Sequence, residues 1–242
     1  MFVSFEGIDG SGKSTQARLL AEALRAEGRD VVLTREPGGS AGAEQIRRLL
    51  VEGRADRWSP ETELLLFTAA RRDHLERTIR PALDRGAWVV TDRFADSSRV
   101  YQGIARADLA DRVETLHRLM IGIDPDRTFV IDLDPAAALD RAAGRAPPPS
   151  LSVPGDGAAV PPQTPSGALA LRTAPEGPPS TPTARGGEST MAEDRFETMG
   201  LGFQTALRQG FRDLVRADPA RVRLIDGRGT AEAVAARVRA AL

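Results

Sequence analysis

Hydrophobic residues are concentrated in five short runs rich in β-branched and aromatic side chains, and several segments between them repeat apolar residues at helical spacing. The five runs are Phe2–Glu6, Val31–Arg35, Trp88–Asp92, Thr128–Leu133 and Val222–Ile225. Nearly continuous apolar strands that alternate with helices are typical of a parallel sheet covered on both faces. The pattern therefore predicts a three-layer α/β fold around a five-stranded parallel sheet.

Three helical segments have recognisable ends. Ser14–Glu27 repeats apolar residues at helical spacing, and Gly28 is suited to stop it because glycine tolerates the left-handed conformation. Glu61–Leu83 is predicted to form one long helix that starts at Pro60. The amphipathic stretch Thr230–Leu242 closes the chain.

One segment departs from this alternation. Residues 146–190 hold 11 of the 17 prolines together with ten serines and threonines and six glycines. A segment of this composition buries too little apolar surface to offset the entropy of ordering it. We therefore predict one domain spanning residues 1–242 that carries a disordered, low-complexity insertion at 146–190.

Composition excludes several classes of protein. The absence of cysteine excludes disulfides, thiolate metal sites and cysteine catalysis. The net charge of −1 argues against a nucleic-acid partner. No apolar run is long enough for a transmembrane helix, and the N-terminus lacks the pattern of a secretory signal. A cytoplasmic protein without a membrane partner is the expectation.

Lys13 is the only lysine in the chain, although arginine is abundant. A coding bias toward arginine explains the scarcity, but not the survival of one lysine inside the motif Gly7-Ile-Asp-Gly-Ser-Gly-Lys-Ser14. This is a complete G-x-x-x-x-G-K-S phosphate-binding loop between a predicted strand and a helix. Its backbone N–H groups and the helix N-terminus attract phosphate oxygens. Lys13 would reach the β- and γ-phosphates, and Ser14 would hold Mg²⁺.

A second candidate site follows the third strand, where Asp92 precedes Arg93. An acid and a guanidinium facing a phosphate site suit metal-bound water and a transferred phosphoryl group, respectively. A plain ion pair at a strand end is the alternative. With its single lysine in the loop, the chain has no Asn-Lys-x-Asp guanine-binding motif, and an LSGGQ transporter signature is also absent.

Several segments in order along the chain resemble the thymidylate kinase family of P-loop nucleoside-monophosphate kinases. They are FVSFEGIDGSGKST, LTREPGGS, ELLLFTAARRDHL with IRPAL, VVTDRFADSSRVYQG, and EDRFE. The resemblance implies a P-loop NTPase fold with a lid, transfer of phosphate from Mg-ATP to dTMP to give dTDP for dTTP synthesis, and a homodimer.

The resemblance also implies roles for individual residues. ATP phosphates would be bound by Gly7, Ile8, Asp9, Gly10, Ser11, Gly12, Lys13, Ser14 and Thr15. Metal contacts would come from Asp9, Ser14 and Asp92. The dTMP side would be formed by Asp9, Arg35, Glu36, Phe67, Arg71, Arg93, Ser98, Tyr101 and Gln102.

Within the dTMP side, Phe67 would stack on the base and Arg71 would hydrogen-bond a base carbonyl. Arg93 would bind the dTMP phosphate and steady the moving phosphoryl group. Ser98 would lie near the base edge, and Tyr101 would pack against the sugar and exclude a ribose hydroxyl. Ordinary core positions remain alternatives for Phe67 and Arg71, and a half-buried position on a helix remains the alternative for Tyr101.

The family places its catalytic arginine either in the phosphate loop or in the lid. The loop has none here, so Arg145 and Arg195, on either side of the insertion, are the catalytic candidates from the lid together with Lys13 and Arg93. His74 and His117 are interpreted as structural. Two other functions stay open: a kinase for a different nucleoside monophosphate, and a regulatory ATP-binding module without catalysis.

Overall fold

The computed structural model describes residues 1–52, 57–103, 109–143 and 200–242. These residues form one five-stranded sheet in the order β2-β3-β1-β4-β5, in which every pairing is parallel. The strands are β1 (Phe2–Glu6), β2 (Val31–Arg35), β3 (Trp88–Asp92), β4 (Arg127–Asp132) and β5 (Val222–Asp226). The predicted α/β sheet is confirmed, with β4 displaced by one residue and β5 longer by one.

Helices connect the strands and cover both faces of the sheet. They are α1 (Lys13–Ala26), α2 (Ala41–Val51), α3 (Pro60–His74), α4 (Arg80–Asp84), α5 (Ala95–Tyr101), α6 (Ala110–Leu116), α7 (Pro135–Ala143), α8 (Gly200–Ala217) and α9 (Ala231–Ala240). After α1, Gly28 adopts a positive φ of 79°, as predicted for the residue that ends this helix.

The long helix predicted over Glu61–Leu83 is interrupted. Its path runs through α3, a π-helical turn at Leu75–Ile79, and α4. Pro81 explains the change, because a proline lacks the N–H for the bond to the carbonyl four residues earlier and its ring crowds that carbonyl. A wider turn just before the proline relieves this conflict.

Alternation along the strands divides the core between two faces. Val3 and Phe5 of β1 pack with α1 and α9 on one side. Phe2 points to the opposite side, where Leu75, Ile79 and Phe94 form a second cluster. A third cluster on this second side joins α5 and α8 to β4. In parallel α/β sheets, ligands bind at the carboxyl ends of the strands, and here the loops after β1 and β3 meet at that edge.

Candidate active site

The loop between β1 and α1 has the backbone of a phosphate cradle. Gly7, Gly10 and Gly12 all adopt positive φ values, of 137°, 79° and 102°. A Cβ on Gly10 would lie 1.9 Å from the carbonyl oxygen of Ala138, so close packing against α7 also requires glycine there. Helix α1 follows Gly12 directly, and no side chain from the described residues caps its N-terminus. The first N–H groups of this helix therefore remain available to an anion.

Four charged or polar side chains meet beside this loop. Lys13 Nζ lies 2.9 Å from Asp9 Oδ1, and Arg93 Nη2 lies 2.5 Å from the same oxygen. Tyr101 donates to Asp9 Oδ2 over 3.4 Å and accepts from Arg93 Nη2 over 3.1 Å. Although burial favours the neutral carboxyl, the two cations hold the pKa of Asp9 well below its ordinary value. Asp9 is therefore an anion between two cations.

The backbone of Arg93 has an unusual, left-handed conformation. Arg93 has a φ of 70°, and it is the one described residue other than glycine in the left-handed region. Its N–H donates to Phe5 O over 2.9 Å, which continues the pairing between β3 and β1. A left-handed turn at a residue with a long side chain costs energy, and such turns are concentrated at functional sites. The turn directs the Arg93 side chain toward Asp9.

A second arginine cluster is closed off from solvent. Arg71 Nε donates to Glu36 Oε2 over 2.7 Å, Nη1 to Ser98 Oγ over 3.1 Å, and Nη2 to Phe94 O over 3.1 Å. His74 Nδ1 lies 3.0 Å from Glu36 Oε1, and because a carboxylate only accepts, the imidazole donates. Although burial opposes its charge, Arg71 lowers the pKa of Glu36, and His74 adds to this effect.

The remaining predicted dTMP residues lie in varied surroundings. Phe67 is half-buried on α3 and does not belong to the hydrophobic clusters of the described residues. Gln102 is buried and donates to Glu63 Oε1 over 3.0 Å. Arg35 pairs with Glu44 over 3.2 Å. A small cavity bordered by Arg71 and Ser98 opens between α3, α5 and α6.

Buried ion pairs fix helix α5, which carries Ser98 and Tyr101. Asp96 at its start lies 2.7 Å from Arg221 Nη1 and 2.8 Å from Arg99 Nη1. Thr128 of β4 donates to the same carboxylate over 2.9 Å. Contacts from β4 and from the loop before β5 therefore hold α5 against the sheet.

The predicted metal residues lie at the same edge of the sheet. Asp92 Oδ1 at the end of β3 is buried and has no hydrogen-bond partner among the described residues, while Ser14 is exposed in the first turn of α1. No group of three metal-ligating side chains occurs within the described residues. Mg²⁺ in phosphoryl-transfer sites is held by one or two protein oxygens plus substrate phosphates, so these residues fit it.

The lid candidates Arg145 and Arg195 and the predicted insertion at 146–190 lie outside the described residues. Just before them, Arg141 of α7 donates to Gly227 O over 3.4 Å.

Sequence reasoning missed Glu6 and Ser97. Glu6 is completely buried at the end of β1, where its carboxylate accepts from Phe94 N over 2.8 Å and from Ser97 Oγ over 2.6 Å. A glutamate inside an apolar strand, immediately before a phosphate loop, was the available signal. Its partners, about 90 residues away, leave no mark in the local pattern.

Comparisons with known proteins identify the family of the chain. Residues 5–150 match the family model for thymidylate kinase. The chain is 57% identical to the thymidylate kinase of Dinoroseobacter shibae over 98% of this chain and 93% of that protein. It is 52% identical to the thymidylate kinase of Ruegeria pomeroyi over 98% of this chain and 92% of that protein.

A solved structure has a similar fold. The crystal structure of thymidylate kinase from Ehrlichia chaffeensis superimposes with a TM-score of 0.66 at 30% identity, covering 100% of this chain and 97% of that one. Across the residues that the structure describes, we find no helix with the length and apolar character needed to cross a membrane. The chain belongs to the thymidylate kinase family.

Proposed function

We propose that the chain transfers the γ-phosphoryl group of Mg-ATP to dTMP, and that the cluster of Lys13, Asp9, Arg93 and Tyr101 surrounds the transferred group. The observation that carries this proposal is the convergence of two cations from separate loops on one carboxylate beside the phosphate cradle. Whole-length similarity to proteins named thymidylate kinase supports dTMP as the acceptor.

In the proposed reaction, the loop N–H groups and Lys13 hold the ATP phosphates. An oxygen of the dTMP phosphate attacks the γ-phosphorus, and the bond to the β,γ-bridging oxygen breaks to release ADP. The second pKa of a phosphate monoester is about 6, so the acceptor is already deprotonated near neutral pH and needs no general base. Catalysis then consists of positioning and charge stabilisation, which are the roles of Lys13 and Arg93.

For the acceptor, we propose that Arg93 binds the dTMP phosphate and Arg71 binds a base carbonyl. The half-buried Phe67 offers a ring for stacking outside the core. Ser98 lies beside Arg71, while Tyr101 separates the Arg93 cluster from the core. Arg35, Glu36 and Gln102 would shape this side of the site. In the structure, Glu36 contacts Arg71 and Gln102 contacts Glu63.

Mg²⁺ supplies charge neutralisation on the ATP phosphates when it is bound. We propose that Ser14 and Asp92 hold it, with Asp9 at the acceptor side. The buried Asp92 Oδ1, which lacks a hydrogen-bond partner in the part of the chain that the structure describes, supports this assignment.

Four further features stay predictions. They are a catalytic contribution from Arg145 or Arg195, a single domain with an insertion at 146–190, a homodimer, and a cytoplasmic location. The family resemblance supports the arginines, the homodimer and the location.

A coupled assay of ADP release with ATP, Mg²⁺ and a panel of nucleoside monophosphates tests the proposed function. We expect the highest kcat/KM with dTMP. Arg71→Met should lower kcat/KM for dTMP, whereas Arg112→Met, which removes an exposed ion pair with Glu61, serves as the control. A preference for another monophosphate would favour a different kinase. ATP binding without ADP release would favour a regulatory module.

A further inference from the structure

Glu6 takes no direct part in the proposed reaction, yet it is completely buried one residue before the phosphate loop. Each of its carboxylate oxygens has a separate partner. Oε1 accepts from the N–H of Phe94, and Oε2 accepts from the hydroxyl of Ser97. Both partners belong to the segment that begins with Arg93, which connects β3 to α5 and continues into that helix.

The first contact acts on the backbone of Arg93. Phe94 follows the left-handed turn at Arg93, where φ is 70°. Such a conformation persists only where the surroundings over-determine it. The 2.8 Å bond from Phe94 N to Glu6 and the 2.9 Å bond from Arg93 N to Phe5 O hold the two peptide groups of this turn against β1.

The second contact acts on the side chain of Arg93. Arg93 Nη1 donates to Ser97 Oγ over 3.0 Å, while the Ser97 hydroxyl donates to Glu6. An ionised carboxylate accepts and never donates, so it fixes the direction of the Ser97 proton. The serine lone pairs then face Arg93, and this leaves Nη2 aimed at Asp9 and Tyr101.

We propose that Glu6 is a positioning residue that sets both the backbone turn and the guanidinium orientation of Arg93, and thereby its hold on the acceptor phosphate. The inference rests on the proposed function, because it assigns Arg93 to the dTMP phosphate. Burial, with a smaller contribution from Asp96, raises the pKa of Glu6 to about 7. An acid that is retained where burial disfavours its charged form is consistent with a functional role.

The variant Glu6→Gln tests the proposal at about pH 8, where Glu6 is ionised. In one orientation the amide donates to Ser97 and competes with Arg93 for the serine lone pairs. In the other orientation an NH₂ group faces the N–H of Phe94. We expect kcat/KM for dTMP to fall roughly 10- to 100-fold, the scale on which misplacement of a reacting group acts. The KM for ATP should stay within about twofold, because Lys13 and the cradle are untouched.

Ser4→Ala is the matched control. Ser4 is buried on the same face of β1 and bonds Thr128 over 2.8 Å, away from Arg93. It should leave kcat/KM for dTMP within about twofold of the wild type. Ser97→Ala, which removes only a half-buried hydroxyl, should lower kcat/KM for dTMP in the same direction as Glu6→Gln.

The double variant Glu6→Gln/Arg93→Ala separates positioning from a purely structural role. Once the Arg93 side chain is absent, we expect Glu6→Gln to change the residual rate by less than about twofold. A full additional loss in that background, a parallel rise in the KM for ATP, or unchanged rates in both Glu6→Gln and Ser97→Ala would each overturn the proposal. A wild-type enzyme inactive on dTMP would instead overturn the proposed function.

Discussion

Two arginines at the candidate active site are held in different ways. Arg71 and its partner Glu36 have side chains that are 6% and 3% exposed, and Arg71 also binds Ser98 and a backbone carbonyl. Arg93 and its partner Asp9 are 15% and 23% exposed. Water and a phosphate can reach the second pair, whereas the first is enclosed. In the closed pair, Glu36 fixes the Arg71 side chain beside the cavity that Ser98 also borders, whereas the open pair can exchange its carboxylate for a substrate anion.

The two arginines also differ in backbone conformation. Arg71 lies in the last turn of α3, where the backbone is helical. Arg93 lies in a left-handed turn at a strand end and depends on Glu6 and Phe5 for support. Strain is therefore found beside the open pair, where chemistry is proposed, and not beside the closed one. The comparison predicts that loss of Glu36 acts mainly on stability, whereas changes at Asp9 and Arg93 act mainly on turnover.

Glu36→Gln should produce the largest effect on stability. It leaves the buried Arg71 and His74 without a carboxylate, and breaking a buried pair costs about 3–5 kcal/mol of unfolding free energy. Urea denaturation measures this loss. The control is Glu61→Gln, which breaks an exposed pair between Glu61 of α3 and Arg112 of α6 and should cost less than about 1 kcal/mol. Equal small losses in both variants would contradict the structural role of Glu36.

Lys13→Ala should act on turnover. Loss of one preorganised charge is expected to lower kcat by roughly 10²–10³, or about 3–4 kcal/mol in the barrier. Lys13→Arg should fail as well, because Lys13 is enclosed by Asp9 and the Ile8 carbonyl and the planar fork does not fit where an ammonium lies. Steady-state rates measure both effects, with Arg18→Lys on the exposed side of α1 as control. Near-normal turnover of Lys13→Arg would show that charge alone is sufficient.

The pH dependence of stability sharpens the comparison at Glu6. Its pKa rises from an ordinary 4.5 to about 7 in the folded state. The folded protein therefore holds a proton that the unfolded chain has lost, and this stabilisation disappears as pH rises through about 7. Between about pH 5 and pH 8, the wild type should lose about 2–3 kcal/mol of unfolding free energy relative to Glu6→Gln. Denaturation curves at both pH values test this, and a constant difference would contradict it.

Tyr101→Ala should give the smallest effect, on selectivity for the sugar. Tyr101 is buried against Phe203 and Phe211, with its hydroxyl at Arg93 and Asp9. Removing this wall should shift the ratio of kcat/KM for dTMP over the matching ribonucleotide by roughly 10- to 200-fold, or about 1–3 kcal/mol. The ratio is independent of the fraction of folded enzyme. Tyr101→Phe keeps the ring and should keep the ratio; a shift in this variant as well would assign selectivity to the hydroxyl.

Much of this architecture follows from the sequence because its causes are local. Alternating and continuous apolar runs define the five strands, since burial acts on each segment separately. The glycines of the phosphate loop report backbone conformations that other residues resist, so the cradle is visible without coordinates. Arg93 is recognisable because it directly follows a strand. From these features the sequence predicts the residues proposed to bind ATP and the arginine proposed to bind the acceptor phosphate.

Tertiary structure decided which charged groups are partners. Glu6 and Ser97 are 91 residues apart, Asp9 and Arg93 are 84 apart, and Glu36 and Arg71 are 35 apart. Ion pairs and hydrogen bonds act through space and leave no periodic pattern along the chain, so a buried glutamate resembles any other acid until the strands are assembled. The sequence alone predicted that a phosphate-binding loop and an arginine lie at one edge of the sheet. Only the assembled sheet determined that Glu36 supports Arg71 and that Glu6, through Ser97, holds Arg93, because both supports depend on distances of about 3 Å between separate strands and helices.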